Sequence, residues 1–222
     1  MSSSAEPTSV VLLSSGLDST VNLYEAREKS RVLLALTFNY GQRAAESELE
    51  HSAAIAEAAG IPHKVLDLRW FAEFTNTSLI NRSSTVPVGK TVSIDDLDQS
   101  NETAKAVWVP NRNGIFLNIG AAFAEGLKAK WVVPGFNIEE GATFPDNTQA
   151  FLDSLTSAFK FSTSNHVEAK CFTTKLNKTQ IVRRGRELGA PFNLIWPCYF
   201  SGPAPCGECE SCQRFQRATR EA

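Results

Sequence analysis

Residues 10–20 read VVLLSSGLDST, and this run constrains the chain more than any other. Val10 to Leu13 are four apolar residues in a row, enough for a fully buried strand, and polar Thr8 and Ser9 precede them. The strand leads directly into Ser14, Ser15 and Gly16, whose small side chains let backbone N–H groups approach an anion closely. Asp18 and Ser19 then suit the N-terminus of a helix that reaches Lys29, and a helix N-terminus adds positive potential at the same point. Strand, small-residue turn and helix together make a seat for phosphate. The hydroxyls of Ser14, Ser19 and Thr20 can donate to it. Asp18 repels bare phosphate, so its expected use is to hold Mg2+ or to orient the loop. Arg43 and Lys178 are the candidates to neutralise the remaining charge. A capped strand–turn–helix without a ligand is the plain alternative for the same residues.

The alternation that begins here continues. Arg31–Tyr40 reads as a second buried strand and Ala44–Ala59 as a helix, stopped by Gly60 with Pro62 beyond it. His63–Leu68 is a third strand. Residues 70–107 are rich in Ser, Thr, Asn and Asp and lose periodicity, which marks a functional or variable loop. Helices follow at Asn113–Glu125, Asn147–Phe161 and Lys178–Leu188, with strands at Trp131–Phe136 and Val167–Phe172. Such alternation implies an α/β fold with a doubly wound parallel sheet, covered on both faces. Ligands in such sheets sit at the carboxyl ends of the strands, so residues 14–19, 37–43, 110–114 and 136–147 should share one edge. The expected division is an ATP-binding α/β domain over residues 1–190, with 70–107 as an insertion or lid, and a metal-binding segment over 191–222.

Four of the five cysteines lie in that last segment, as Cys198-x7-Cys206-Gly-Glu-Cys209-Glu-Ser-Cys212. Cys-x2-Cys spacing brings two thiolates to one metal from a tight turn, and Gly207 helps the turn form. Four thiolates complete a closed tetrahedral Zn2+ site, which is structural and contributes to folding directly. An iron–sulfur cluster or a catalytic thiol pair would use similar spacing. Cys171 stands alone in a strand-like run and reads as a small core residue.

The formal net charge is −2, so no global basic field invites nucleic acid, and a small substrate is expected. Met1–Ser9 is polar, and Val10–Leu13 is too short for a signal core or a membrane span. The chain therefore reads as cytoplasmic, with no membrane partner.

The loop Ser14–Ser19 resembles the SGGxDS loop of the PP-loop, N-type ATP pyrophosphatases, with Ser15 in place of one glycine. That resemblance implies ATP held by Leu13, Ser14, Ser15, Gly16, Leu17, Asp18, Ser19, Thr20, Val21, Asn22 and Leu23, and cleaved between its α and β phosphates. With the cysteine tail added, nearly the whole chain is similar to the 7-cyano-7-deazaguanine synthase family. Phe38-Asn39-Tyr40-Gly41-Gln42-Arg43 is similar to its FDYGQRH segment, with Asn39 for Asp and Ala44 for His. Val109–Leu117 is similar to VPARNTIFL, and Phe144-Pro145-Asp146 to YPD. Cys198-Tyr199 and Cys206-Gly207-Glu208-Cys209-x2-Cys212 match its zinc segment.

The resemblance implies the adenine nucleotide alpha-hydrolase-like fold, ATP, Mg2+ and one structural Zn2+ per chain. It also implies 7-carboxy-7-deazaguanine and ammonia as substrates, with the carboxylate activated as its adenylate. Asp18, Ser19, Arg43 and Lys178 are the expected catalytic residues. Arg112 offers a bidentate fork and Asn111 and Asn113 offer amides, which suits a planar polar base bearing a carboxylate. Asp146 is a further candidate for Mg2+ or for the base. Phe38, Tyr40 and Phe144 could stack on a base or could be core. A homodimer is expected, with 70–107 as contact or lid. The alternatives are a relative that makes an amide or conjugates the deazaguanine to another molecule, a tRNA-modifying PP-loop enzyme, and a zinc-knuckle interaction module. If position 15 needs a left-handed backbone, Ser costs about 1–2 kcal/mol there relative to Gly. Ser15→Gly is expected to keep or raise ATP-dependent turnover; a large loss in a steady-state assay would show that the hydroxyl takes part.

Overall fold

The computed structural model describes residues 6–92 and 105–222. Its strands are β1 (Thr8–Leu12), β2 (Arg31–Asn39), β3 (His63–Asp67), β4 (Trp131–Val133) and β5 (Glu168–Ala169). Its α-helices are α1 (Leu17–Lys29), α2 (Ala45–Ala59), α3 (Arg112–Gly126), α4 (Ile138–Gly141), α5 (Gln149–Ser162), α6 (Lys178–Glu187) and α7 (Glu210–Glu221). The strands form one sheet in the order β3-β2-β1-β4-β5, and every pairing is parallel.

Alternation along β1 decides what packs where. Val10 and Leu12 point to the face covered by α3 and α5, where Leu117, Ala121, Leu152 and Phe159 are buried with them. Val11 and Leu13 point to the other face, against Leu23 and Tyr24 of α1 and Ile55, Ala56 and Ala59 of α2. The chain leaves β1 toward β2 and β3, then returns to the opposite side of β1 for β4 and β5. The direction of winding reverses between β1 and β4, which opens a crevice at their carboxyl ends.

Several boundaries differ from the sequence reading. β4 stops at Val133 because Pro134 has no N–H for the ladder. The strand expected over Val167–Phe172 is confined to Glu168–Ala169. The tail carries α7, which periodicity did not reveal. Its buried face is narrow, with Cys212 and Ala218 backed by Phe215, and it lies against Leu17, Val21, Ile181 and Val182 of α1 and α6. Residues from Pro191 onward are thus packed onto the sheet domain. Within 70–107 the described parts include single 3-10 turns at Arg69–Glu73 and Gly89–Thr91, and residues 93–104 lie outside the described residues. No helix among the described residues is long and apolar enough to cross a membrane.

The crevice closes tightly at one point. A Cβ on Gly135, just past β4, would lie 2.3 Å from the Ser19 nitrogen and 2.6 Å from the Asp18 carbonyl carbon. Both are backbone atoms of α1, so nothing flexible can yield. Gly135→Ala is expected to cost about 3 kcal/mol through overpacking. Gly126→Ala, at a helix end with open space around its Cβ, should gain up to about 1 kcal/mol. Urea unfolding of the two variants measures the contrast.

Candidate active site

Ser14 to Ser19 form a closed hydrogen-bonded turn. The Ser14 N–H donates to Ser19 Oγ at 3.1 Å, the Ser14 and Ser19 hydroxyls lie 3.1 Å apart, and Thr20 Oγ1 donates to the Gly16 carbonyl at 2.8 Å. Gly16 is the N-cap of α1, so the first turn of that helix faces the cavity above the loop. Ser15 is fully buried with φ 59°, the left-handed conformation that favours glycine. Its hydroxyl donates to the Ser14 carbonyl at 2.6 Å, and its own carbonyl accepts from the Trp196 N–H at 3.0 Å.

Not all of the expected nucleotide residues face this cavity. Leu13, Ser14, Gly16, Leu17, Asp18 and Ser19 line it. Val21 and Leu23 do not: both are buried core on the inner side of α1. Asn22 is structural as well. Its amide donates to the Asp18 carbonyl and to Thr173 Oγ1, and its oxygen accepts from the Phe172 N–H. Ser15 and Thr20 hold the loop through the bonds given above.

The charged residues are committed differently from the sequence reading. Lys178 Nζ donates to Asp18 Oδ2 and to Glu140 Oε1, each at 2.7 Å. Asn137 Nδ2 adds a bond to Asp18 Oδ2 at 3.1 Å, and Asn137 Oδ1 caps α4 by accepting from the Glu140 N–H. Burial disfavours the lysine's charge, but Asp18 and Glu140 outweigh it and raise its pKa. Burial raises Asp18 against the opposing pull of Lys178, and Lys178 holds Glu140 below its usual range despite burial. With both acids ionised this cluster carries one excess negative charge. Asp18 Oδ1 is buried and has no partner among the described residues.

Arg43 is not brought to the phosphate loop. Its guanidinium donates to the carbonyls of Ser78, Asn81 and Ser84, and its backbone joins Leu79 and Ser201. It pins the 78–84 segment and the tail to the end of β2. The sequence assigned it charge neutralisation because a bare cation near a phosphate loop looks available; the carbonyls that occupy it are distant in sequence.

The first cavity, about 240 Å3, runs from the phosphate loop across the ends of β1 and β2 to Tyr40, Gln42 and Glu48. Phe38 and Phe116 stack in its wall with centroids 4.2 Å apart. A second cavity of about 150 Å3 adjoins it, with Arg112, Glu140, Asn147 and Tyr199 lining both. Asp146 and Phe144 line the second, and Phe144 lies parallel to Trp108 with centroids 5.8 Å apart. Arg112 donates to the Tyr40 hydroxyl at 3.3 Å and stands between the cavities. Burial raises Asp146, with Arg112 opposing, and burial pushes Glu48 up to about 7 against Gln42 and Arg112. Asn113 lines the first cavity. Asn111 does not: it is an exposed, left-handed residue at φ 51° whose side chain folds over Gly114. It is the start of α3 rather than a cavity wall.

The four tail cysteines come together. The Sγ atoms of Cys198, Cys206, Cys209 and Cys212 all lie within 4.8 Å of one another, and those of Cys206 and Cys212 are 4.0 Å apart. A tetrahedral ion with sulfur at about 2.3 Å separates its ligands by about 3.8 Å, so the cluster could bind a metal. Cys198, Cys209 and Cys212 are buried with Ala44 and Trp196. An antiparallel bridge between Val88 and Cys209 and a Gly89 N–H bond to the Glu208 carbonyl join this knuckle to the 86–92 segment. Cys171 is half-buried beside Asn22 and Phe136, as a core residue would be.

Sequence reasoning missed Asn137, Glu140, Gly135 and Glu48. Asn137 followed three residues later by Glu140 is a cap signal just past a strand at the ligand edge, which would have pointed to the first two.

A sequence profile described as "Queuosine biosynthesis protein QueC" matches residues 8–222. The 7-cyano-7-deazaguanine synthase of Bdellovibrio bacteriovorus is 59% identical, over 96% of this chain and 93% of that protein. The enzyme of the same name from Desulforamulus reducens is 51% identical, over 95% of this chain and 92% of its own. Among solved structures, a 4-thiouridine synthetase–RNA complex with bound ATP superposes with a TM-score of 0.54 at 18% identity, covering 97% of this chain and 50% of that one. That likeness shows the fold, an α/β PP-loop fold.

Lys178→Met should destabilise the protein by about 3 kcal/mol, because it leaves buried Asp18 and half-buried Glu140 without their shared cation. Adding Asp18→Asn and Glu140→Gln should restore part of the loss. The non-additivity, measured by denaturant unfolding of the single and combined variants, checks that the three groups act as one unit.

Proposed function

The chain belongs to the queuosine biosynthesis protein QueC family, and from that premise we propose that it uses ATP to convert 7-carboxy-7-deazaguanine and ammonia to 7-cyano-7-deazaguanine. The observation that carries the reading is the junction of the two cavities. A phosphate loop opens on one side and a second space on the other; Arg112 and Glu140 line both, and Glu140 is tied through Lys178 to Asp18 on the first.

The chemistry follows from what the residues can do. A carboxylate is a poor electrophile, so its oxygen first attacks the α-phosphorus of ATP and releases pyrophosphate. Ammonia then adds to the acyl carbon, AMP leaves, and a proton is lost to give the amide. A second ATP activates the amide oxygen in the same way, releasing pyrophosphate, and loss of AMP and of both amide protons leaves the nitrile. Ser14, Ser19 and the first turn of α1 bind the phosphates. In the second cavity Arg112 and Asp146 read the deazaguanine, with Trp108 and Phe144 over its face. The walls exclude water, so that ammonia takes the acyl group.

Two metals fit the residues present. The Lys178 cluster is already neutralised to excess, so it offers no net positive charge to a polyphosphate. Asp18 Oδ1, buried and without a partner among the described residues, is the oxygen that would hold Mg2+, and Ser19 lines the same cavity. When bound, Mg2+ supplies charge neutralisation of the leaving pyrophosphate. The four thiolates suit Zn2+ in a closed site that fixes the tail.

The test is incubation with ATP, Mg2+, ammonium and 7-carboxy-7-deazaguanine, followed by mass analysis. Two AMP per nitrile are expected, from protein carrying one zinc per chain by elemental analysis. One AMP with an amide, or with a conjugate to another amine, would replace this reading by the conjugating one.

A further inference from the structure

Glu48 takes no part in the reaction as proposed, yet it stands in the wall of the first cavity. Its position is built rather than incidental. Gln42 Nε2 donates to Glu48 Oε2 at 2.7 Å, and the same amide is fixed at both ends: Nε2 also donates to the Phe38 carbonyl at 3.1 Å, and Oε1 accepts from the Tyr40 N–H at 2.9 Å. The turn after β2 therefore clamps the glutamate on α2. Its second oxygen, Oε1, has no hydrogen-bond partner among the described residues. The charged or titratable groups facing it are Arg112 from α3 and Tyr40 from the end of β2.

Resting on the proposed reaction, the two cavities must divide two bases between them. The second cavity holds the base whose carboxylate is activated, and it meets the first at Arg112 and Glu140. With the phosphates on the Ser14–Ser19 loop, the part of the first cavity left for the adenosine lies over the end of β2. It is floored by the stacked Phe38 and Phe116 and ends at Gln42 and Glu48.

We infer that Glu48 is the residue that selects the nucleotide base of the ATP, accepting a hydrogen bond from the adenine 6-amino group on Oε1. Burial pushes Glu48 up to about 7, so at about pH 8.5 it is a carboxylate, which accepts and does not donate. It matches the exocyclic amine and opposes the 6-oxo group of hypoxanthine or guanine, which would set acceptor against acceptor. Gln42 cannot relieve the mismatch, because both of its amide ends are already committed.

The experiment compares binding of α,β-methylene ATP with that of α,β-methylene inosine triphosphate, which differ in the 6-substituent and in the proton on N1, by calorimetry at about pH 8.5 on the full-length protein with Mg2+. The wild type should prefer the adenine analogue by about 10-fold or more, the size of one mismatched buried hydrogen bond. In E48Q the amide N–H can donate to the 6-oxo group. The inosine analogue should then bind about 10-fold more tightly and the preference should collapse toward 1. A gain of binding is not a result that misfolding produces. E48D keeps the acceptor at shorter reach and should retain the adenine preference with weaker binding. An unchanged preference in E48Q overturns the inference. So does a preference left intact while KM for 7-carboxy-7-deazaguanine rises, which would assign Glu48 to the other base. These binding ratios are read without the deazaguanine, so failure of the proposed reaction, seen as no AMP formed, is a separate result.

Discussion

The ion cluster of Lys178, Asp18 and Glu140 is what the rest of the structure depends on. It joins three segments that the sheet alone would leave apart: the first turn of α1, the turn of α4 after β4, and the first turn of α6. Each is held at the crevice by a backbone device. Gly135 lets β4 come against α1, Asn137 caps α4 and reaches Asp18, and the capping box of Asn177 and Gln180 starts α6 one residue before the lysine. A buried ion pair of this kind is a weak source of stability compared with apolar packing of the same volume. Its presence at the reversal of the winding is better explained by geometry. It fixes the Asp18 carboxylate beside the Ser14–Ser19 loop, with Oδ1 unpartnered among the described residues.

The tail is the second constraint. The knuckle sits beside Ala44 and Trp196, and Trp196 in turn holds the carbonyl of strained Ser15. Arg43 reaches the same region from the other direction, through the 78–84 carbonyls and the Ser201 N–H. The cysteine cluster, the 78–92 segment and the phosphate loop are therefore mechanically continuous. Their arrangement occupies Arg43, read in the sequence as a partner of the phosphates, with the 78–84 carbonyls. A cation or hydroxyl near a ligand loop is as useful for holding the loop as for touching the ligand.

Much of this was legible beforehand. The parallel sheet, the edge that carries the ligand loops, the cysteine set and the left-handed need at position 15 all follow from local signals: apolar runs, caps, glycines and spacing. Arg43, Val21, Leu23 and Asn22 do not line the first cavity, and the sequence did not show this because their partners are remote. Asn22 is bonded to Thr173 and Phe172, and no window of sequence contains both ends of those bonds. Helix α7 was hidden for a related reason. With charged residues around most of its circumference, its narrow apolar stripe acquires meaning only once α1 and α6 present a surface to it. Glu48 was passed over because an acidic residue early in a helix is ordinary; its clamp by Gln42 depends on the fold of the turn after β2.

The bond from the Trp196 N–H to the Ser15 carbonyl spans most of the chain, and the first cavity takes wall residues from Leu12 to Phe215. Order of synthesis then matters. A chain emerging from the ribosome presents the Ser14–Ser19 loop long before Trp196, which supports it, and Phe215, which lines the far wall. Until those residues follow, the loop stands without the enclosure they complete. The cavity is therefore enclosed only once residues as far apart as Leu12 and Phe215 have met.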